Sequence, residues 1–341
     1  MENTENTLIK ESGFRAGIVT GLKSNFALVI GLVVLIVIVS IRSPYFLSET
    51  NLQNILTQIT TNMLLASACT IILITGGIDL SSGALIKITG VMSAAMMTIF
   101  GMPFYVAILT GLCLGLLVGA INGFILSRTT LPPFIVTFAL AMICRGLANV
   151  YTNSRPIRIE DEIFRWFGKG KIGPFPIQIF ILIVILGIVW LILNKSRMGR
   201  NMYAIGGNAL AAEYSGINIK RIKFFMYVFS GLMSGIAGVL LAARSYAGSP
   251  LVGDNAEMDA IAATVLGGTS MLGGYGRLSG TILGVLIIGI LNNGLNLMQV
   301  NSYWQLVVKG LVLMAAVYAD YYKNTVAKNR KSKVEAIAKA E

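Results

Sequence analysis

The sequence has no histidine, few cysteines and little charge. Only 12% of its 341 residues are Asp, Glu, Lys or Arg, about half of the ~25% that is usual in soluble domains. Hydrophobic residues make up 55% of the chain. This composition excludes a soluble enzyme, a disordered chain and a secreted disulfide scaffold. It indicates an integral membrane protein whose apolar stretches face lipid or one another.

The lack of histidine and the placement of cysteine remove two common sources of site chemistry. Without histidine, the chain lacks the commonest metal ligand and the side chain best suited to proton transfer near neutral pH. Its three cysteines, Cys69, Cys113 and Cys144, fall inside apolar runs without metal-binding spacing, and we interpret them as small buried residues. We therefore predict no metal site and no cofactor bound by this chain.

Ten apolar stretches approach the roughly 20 residues that a helix needs to cross a bilayer. They are 26–41, 55–75, 84–100, 104–126, 133–150, 175–193, 222–243, 257–272, 278–299 and 303–320. The eighth is short and polar at its C-terminal end. The sequence thus predicts an all-α integral membrane protein of about ten transmembrane helices. A single transmembrane domain covers 26–322, with a tail of 1–25 before it and a basic tail of 323–341 after it.

Many of the 37 glycines lie within these apolar runs rather than in loops. Gly231, Gly235 and Gly238 are examples. Small residues spaced in this way let membrane helices approach closely. We therefore expect the seventh span to pack tightly against its neighbours.

The basic residues indicate how the spans are oriented. Lys and Arg concentrate in the cytoplasmic loops of membrane proteins. If the N-terminus is cytoplasmic, the segments on that side hold 17 of the 27 Lys and Arg residues, and the opposite segments hold 7. This asymmetry favours an even number of spans with both termini in the cytoplasm. The net charge of +12 is then an orientation signal, and we predict no binding to nucleic acid.

The most informative segment is the cytoplasmic loop 194–221. Asn208 is a good N-cap, because its side-chain oxygen can accept a hydrogen bond from the first helical turn. Residues 209–214 favour a helix, and Gly216 suits a left-handed stop. Isolated helices shorter than ~12 residues are rarely stable in water. We expect this short helix to dock against a partner; the alternative is a plain connection between spans.

Several motifs, in order along residues 26–322, closely resemble the inner-membrane permeases of the ribose/galactose-type sugar ABC importers. The matching stretches are ITGGIDLS at 74–81, YAIGGN at 203–208, AA at 211–212, SGIN at 215–218, EMDAIAA at 257–263, VLGGTS at 265–270 and LNNGLNL at 291–297. The resemblance implies a fold like that of type II ABC importer permeases. It also implies that the loop between the sixth and seventh spans carries a coupling helix, which docks on an ATPase subunit.

The resemblance assigns the coupling role to a run of residues in this loop. They are Gly206, Gly207, Asn208, Ala211, Ala212, Ser215, Gly216 and Ile217. The chain has no G-x-x-x-x-G-K-[ST] phosphate loop. It is therefore expected not to be an enzyme itself, with ATP and Mg bound by the partner ATPase.

The resemblance also implies further partners and a location. The partners are an extracytoplasmic sugar-binding protein, a second permease copy as a homodimer or close paralogue, and membrane lipid. The expected location is the bacterial cytoplasmic (inner) membrane. Candidates for docking the binding protein lie in 151–174 and 244–257, and they are Arg158, Arg165, Arg244, Asp254 and Glu257. Each is alternatively a solvated loop charge.

A neutral sugar needs hydrogen-bonding groups along its pathway rather than opposite charges. Polar residues in spans should face the bundle interior or a cavity, because exposure to lipid is costly. The candidates are Asn122, Thr137, Asn292, Asn293 and Asn296. Alternatively, each of these residues makes a polar contact with a neighbouring helix.

Four charged residues fall in or near the spans and require their own interpretation. Arg145 and Lys309 are predicted to lie at a helix or dimer interface. Lys87 is predicted to extend toward the inner face. Asp79 is predicted to cap the third span near the inner surface, with a site for a coupling ion as the alternative.

These observations favour the permease subunit of an ABC importer for a monosaccharide such as ribose or a similar pentose or hexose. The alternative is a secondary transporter of a small polar solute, driven by protons or sodium. Proton coupling needs buried carboxylates or histidines, and the confidently placed spans contain none.

Overall fold

The computed structural model describes residues 26–338, which are mostly helical. Within this range the chain forms thirteen helices and four two-residue strands. The first helices are α1 (Phe26–Arg42), α2 (Glu49–Ile74), α3 (Ser82–Thr98), α4 (Phe104–Arg128), α5 (Pro133–Thr152) and α6 (Glu162–Lys169). The others are α7 (Ile177–Lys195), α8 (Arg197–Gly207), α9 (Ala209–Tyr214), α10 (Ile219–Ser245), α11 (Ala256–Leu266), α12 (Leu278–Leu297) and α13 (Ser302–Ala338).

The strands are β1 (Ile157–Arg158), β2 (Lys171–Ile172), β3 (Phe175–Pro176) and β4 (Ala247–Gly248). They form two antiparallel pairs, β1 with β4 and β2 with β3. The predicted tail 1–25 and the last three residues of the predicted tail 323–341 lie outside the described residues.

Nine of the ten predicted spans coincide with apolar helices of the described chain. Six of these helices, α2, α4, α5, α7, α10 and α12, are long and apolar enough to cross a membrane. Shorter apolar helices are α1, α3 and the Ser302–Tyr318 part of α13. α13 continues without a break from the last predicted span into the predicted C-terminal tail.

The prediction of one continuous span at 257–272 is wrong. α11 ends at Leu266, and its 11 residues extend over about 16 Å, roughly half of the hydrocarbon core. The glycine-rich turn 267–277 follows. Gly268 has a φ angle of +86°, which only glycine adopts at no steric cost, so the helix stops just after Leu266.

A second irregular segment lies between α2 and α3. The Asp79 carboxylate is buried and accepts a hydrogen bond from Ser230 Oγ (2.6 Å) near the middle of α10. It also accepts from the backbone and hydroxyl of Ser81, the residue that precedes α3. Asp79 therefore orders the start of α3 from a buried position, as the predicted capping role requires. The irregular backbone here is tolerated because protein surrounds it.

Glycines bring α4 and α10 into close contact, as the spacing predicted. A Cβ added to Gly119 would lie 3.1 Å from Gly231 Cα, and one added to Gly115 would lie 3.0 Å from Gly235 Cα. Such distances leave no room for a side chain. The helix contact thus depends on van der Waals packing between backbones, which is the expected driving force where lipid removes any hydrophobic difference.

The predicted burial of the cysteines is wrong for one of the three. Cys144 is buried and Cys69 is partly buried, but Cys113 is exposed on α4. The apolar run alone could not distinguish the helix face that packs from the face that does not.

α6 and β4 cover one end of α10. Asp161 Oδ1 accepts a hydrogen bond from Phe164 N (2.7 Å) and so caps α6. Ile159 and Phe164 are fully buried together with Ala243 near the end of α10. We call this the α6 end of the bundle, and we call the end where α10 begins the α9 end. The 27 residues of α10 separate the two ends by about 40 Å.

Candidate functional site

Two short helices form the loop at the α9 end. Asn208 Oδ1 accepts a hydrogen bond from Ala211 N (3.0 Å), and Gly216 has a φ angle of +80°. The N-cap, the helix and the left-handed stop are therefore confirmed. The sequence did not predict α8, which precedes this helix and is capped by Ser196 through Gly199 N (3.0 Å).

α9 exposes an apolar surface. Leu210 and Tyr214 are 67% and 90% exposed, and their spacing of four residues puts them on one helix face. Ala212 is the buried residue of this helix. Of the other predicted coupling residues, Gly207, Asn208, Ala211, Ser215 and Gly216 are exposed, and Gly206 and Ile217 are half-buried. Leu210 and Tyr214 were not predicted, although their apolar i, i+4 spacing is visible in the sequence.

α8 connects this surface to the bundle. Gly206 packs so closely on α2 that an added Cβ would overlap the carbonyl oxygen of Ile74. Ile74 also accepts a hydrogen bond from Gly274 N (2.7 Å) in the turn 267–277. The Tyr203 hydroxyl donates to the carbonyl of Gly276 (2.8 Å) in the same turn. Burial raises the pKa of Tyr203, which keeps this hydroxyl protonated as the donor.

A polar cavity of about 580 Å³ opens near the α6 end. It lies between α2, α10, α11, α12 and α13. Two of the five predicted pathway residues, Asn292 and Asn296, line it. Three amide residues of α2, which the sequence analysis did not single out, also line it: Asn54, Gln58 and Asn62. Their spacing of four residues is the signal that could have found them.

The remaining predicted pathway residues contact neighbouring segments. Asn293 exchanges two side-chain hydrogen bonds with Asn51 of α2 (2.8 and 3.1 Å). Asn122 Nδ2 donates to Ser81 Oγ (2.9 Å), and Thr137 Oγ1 accepts from Leu80 N (3.1 Å). The last two contacts tie α4 and α5 to the irregular segment between α2 and α3.

The three basic residues predicted within spans all form ion pairs with residues 254–259. Lys309 Nζ lies 2.8 Å from Asp259 Oδ2. An Arg145 guanidinium nitrogen lies 2.5 Å from Glu257 Oε1, and Lys87 pairs with Asp254. Arg145 and Lys309 are thus at helix interfaces.

Two expectations about these charges are wrong. The Lys87 side chain is only 5% exposed and reaches Asp254 rather than the inner face. Glu257 is 4% exposed, so it lies inside the bundle and not on an outer loop. In both cases an ion partner distant in sequence fixes the position, because a buried charge needs a partner.

The other predicted docking residues lie at the α6 end of the bundle. Arg158 is exposed, and its carbonyl accepts a hydrogen bond from Thr98 Oγ1 (2.7 Å). Arg165 Nε donates to the Ile159 carbonyl (2.8 Å). Arg244 and Asp254 line the cavity itself.

Known proteins show which family of membrane proteins this chain belongs to. A family described as the permease component of the branched-chain amino acid transport system matches residues 51–317. The chain belongs to this family. No solved structure matches this permease.

Curated relatives of this permease are similar over most of their length. Ribose import permease protein RbsC of Haemophilus influenzae is 40% identical over 300 residues, covering 87% of this chain and 93% of the relative. RbsC of Bacillus subtilis is 42% identical over 297 residues, covering 86% and 92%. D-allose transport system permease protein AlsC of Escherichia coli is 40% identical over 283 residues, covering 82% and 86%.

Family membership makes this chain a multi-pass permease component of an ABC importer in the cytoplasmic membrane. ATP hydrolysis therefore belongs to a separate subunit. The family implies an ATPase and a binding protein as partners. It does not favour the alternative of an ion-coupled secondary transporter.

Proposed function

We propose that this permease moves a monosaccharide, a pentose such as ribose or a similar hexose, that an extracytoplasmic binding protein delivers. The observation that carries the proposal is the identity of 40–42% to ribose import permeases over most of the chain. The amide-lined cavity supports it, since amides supply both donors and acceptors to a neutral polyol.

We infer ten membrane crossings with both termini in the cytoplasm, α11 and the turn 267–277 together forming one crossing. The excess of Lys and Arg in the segments assigned to the cytoplasm supports this orientation. It puts the α9 end on the cytoplasmic side and the α6 end outside. The resemblance to sugar permeases further implies a second permease copy, as a homodimer or close paralogue.

The ATPase subunit, which binds ATP and Mg, is proposed to dock on α9. The exposed Leu210 and Tyr214 supply an apolar anchor, a kind of residue that dominates binding energy at interfaces. A movement of α9 would displace α8, and α8 would displace α2, because Gly206 of α8 packs directly on Ile74 of α2. The hydrogen bonds of the turn 267–277 would transmit the displacement to α11 and α12, which line the polar cavity.

The binding protein is proposed to dock at the α6 end, around the mouth of the cavity. Arg158, Arg165, Arg244 and Asp254 supply charges of both signs there. Charges at the rim of an interface orient the encounter between two proteins more than they increase the affinity. Glu257 is buried and is proposed instead to hold Arg145 and α11 in place.

Complementation tests the proposed function. A bacterial strain without its own monosaccharide permeases receives the genes for this chain, its ATPase and its binding protein, and uptake of labelled pentoses and hexoses is measured. We expect uptake of at least one monosaccharide that is lost when any of the three genes is omitted. Uptake by the permease alone would instead support a secondary transporter, and no uptake of any monosaccharide would refute the proposal.

A further inference from the structure

A stripe of three amide side chains on α2 faces the polar cavity. Asn54, Gln58 and Asn62 follow one another at intervals of four residues and therefore share a helix face. None of the three amide groups has a hydrogen-bond partner among the described residues. By contrast, the amide of Gln53, on another face of α2, donates to Glu49 Oε1 (2.9 Å). The stripe thus presents donors and acceptors to the cavity rather than to the protein.

Asp259 and Asn292 on another wall of the cavity leave one carboxylate oxygen without a hydrogen bond from the described residues. Asn292 is 4% exposed, and its Oδ1 atom is buried without a partner among the described residues. Its Nδ2 donates to Asp259 Oδ2 (3.2 Å), the same oxygen that accepts from Lys309 Nζ (2.8 Å). Asp259 Oδ1 carries no hydrogen bond from the described residues. Asp259 Oδ1 is therefore free to accept from a donor in the cavity, while the Asn292 amide and Lys309 hold the other oxygen of that carboxylate.

The chemistry of the two walls fits one kind of ligand. The hydroxyls of a sugar both donate and accept, so they can bond the amides of the stripe on one side and Asp259 Oδ1 on the other. Lys309 balances the charge of Asp259 and Lys87 balances that of Asp254, so both carboxylates of the lining are paired. Lys169 and Arg244, which also line the cavity, add hydrogen-bond donors. The volume of about 580 Å³ also lies within the range of about 300–1,000 Å³ that is usual for small-molecule sites.

We propose that this cavity binds a monosaccharide between the amide stripe of α2 and the Asn292–Asp259 pair. The inference rests on the proposed import function and deepens it. The permease then makes its own contacts with the sugar after the binding protein releases it. It therefore discriminates among monosaccharides instead of passing every one it is given.

Substitution of the stripe tests this site in the full complex. Permease, ATPase and binding protein are reconstituted in proteoliposomes, and uptake of labelled aldopentoses is measured beside ATP hydrolysis stimulated by the loaded binding protein. For Gln58→Leu we expect about fivefold to tenfold less uptake per ATP hydrolysed, because one polar contact with the sugar is lost. We also expect a changed preference between two aldopentoses that differ at one hydroxyl. Stimulated ATP hydrolysis should remain close to that of the unmodified complex.

Gln53→Leu is the matched control, since it makes the same change on the same helix outside the cavity. It should leave uptake and preference unchanged. Asn54→Ala, at an exposed position of the stripe, provides a second variant that is easily accommodated if Gln58→Leu inserts poorly. Unaltered uptake and preference in the inserted stripe variants would refute the sugar site while leaving the import function intact. Failure of the unmodified complex to take up any monosaccharide would refute the proposed function itself.

Discussion

At the residue scale, the loop at the α9 end shows which contacts a sequence reveals. Asn208 and Gly216 act on their own neighbours in the chain, so their roles as cap and stop were predictable from local rules. The contact of Gly206 with Ile74 was not predictable, because it joins residues from different helices. Glycine at 206 is required by close approach to another backbone.

Alanine at position 206 should weaken the connection between α8 and α2. Its Cβ would overlap the Ile74 carbonyl oxygen, and overpacking of this kind costs about 1–3 kcal/mol. For Gly206→Ala we expect a lower melting temperature in detergent and loss of most sugar uptake. Gly207→Ala is the matched control for the melting temperature, because a Cβ there meets no atom within 4 Å. Equal loss of melting temperature in the two variants would contradict the proposed contact.

At the scale of elements, hydropathy predicted which segments are helical better than it predicted how far they run. It extended α11 into the turn 267–277, because the apolar Met271 and Leu272 follow the polar residues there and hydropathy does not show the positive φ angles of the glycines. It also missed α8, since Gly206 and Gly207 resemble helix breakers until their packing is known. Both errors arise where tertiary contacts decide the backbone conformation.

The exposed face of α9 gives a prediction for that element. Tyr214 is 90% exposed and lies on the same face as Leu210. If it anchors the ATPase, Tyr214→Asp should reduce uptake and stimulated ATP hydrolysis by about tenfold or more, as loss of an aromatic hot spot does. The measurement is ATPase activity and co-purification of the ATPase subunit. Tyr214→Phe should retain both, and normal coupling in Tyr214→Asp would exclude this docking face.

At the scale of the whole molecule, ion pairs and side-chain hydrogen bonds join segments that are distant in sequence. The sequence placed Lys87, Arg145 and Lys309 in spans but gave no means of knowing that all three reach residues 254–259. For the same reason it could not separate Asn292, which lines the cavity, from Asn293, which pairs with Asn51. Polarity within a span indicates that a residue faces protein or a cavity, and only the assembled bundle distinguishes the two.

Sided labelling tests the topology of the whole molecule. In a background with all three cysteines replaced, Glu162→Cys and Leu210→Cys place exposed thiols at the α6 and α9 ends. An impermeant thiol reagent added to intact cells should label position 162 and not 210. Glu162 is preferred to Asp161 because the Asp161 side chain caps α6. The reverse pattern would overturn the assignment of the α9 end to the cytoplasm.

The energy source of uptake tests the central claim most directly. Proteoliposomes carrying the permease and its ATPase, supplied with binding protein and a labelled monosaccharide, are given either ATP on the ATPase side or an imposed proton or sodium gradient. We predict uptake that requires both ATP and the binding protein and that no ion gradient replaces. Uptake driven by an ion gradient without ATP would contradict the account.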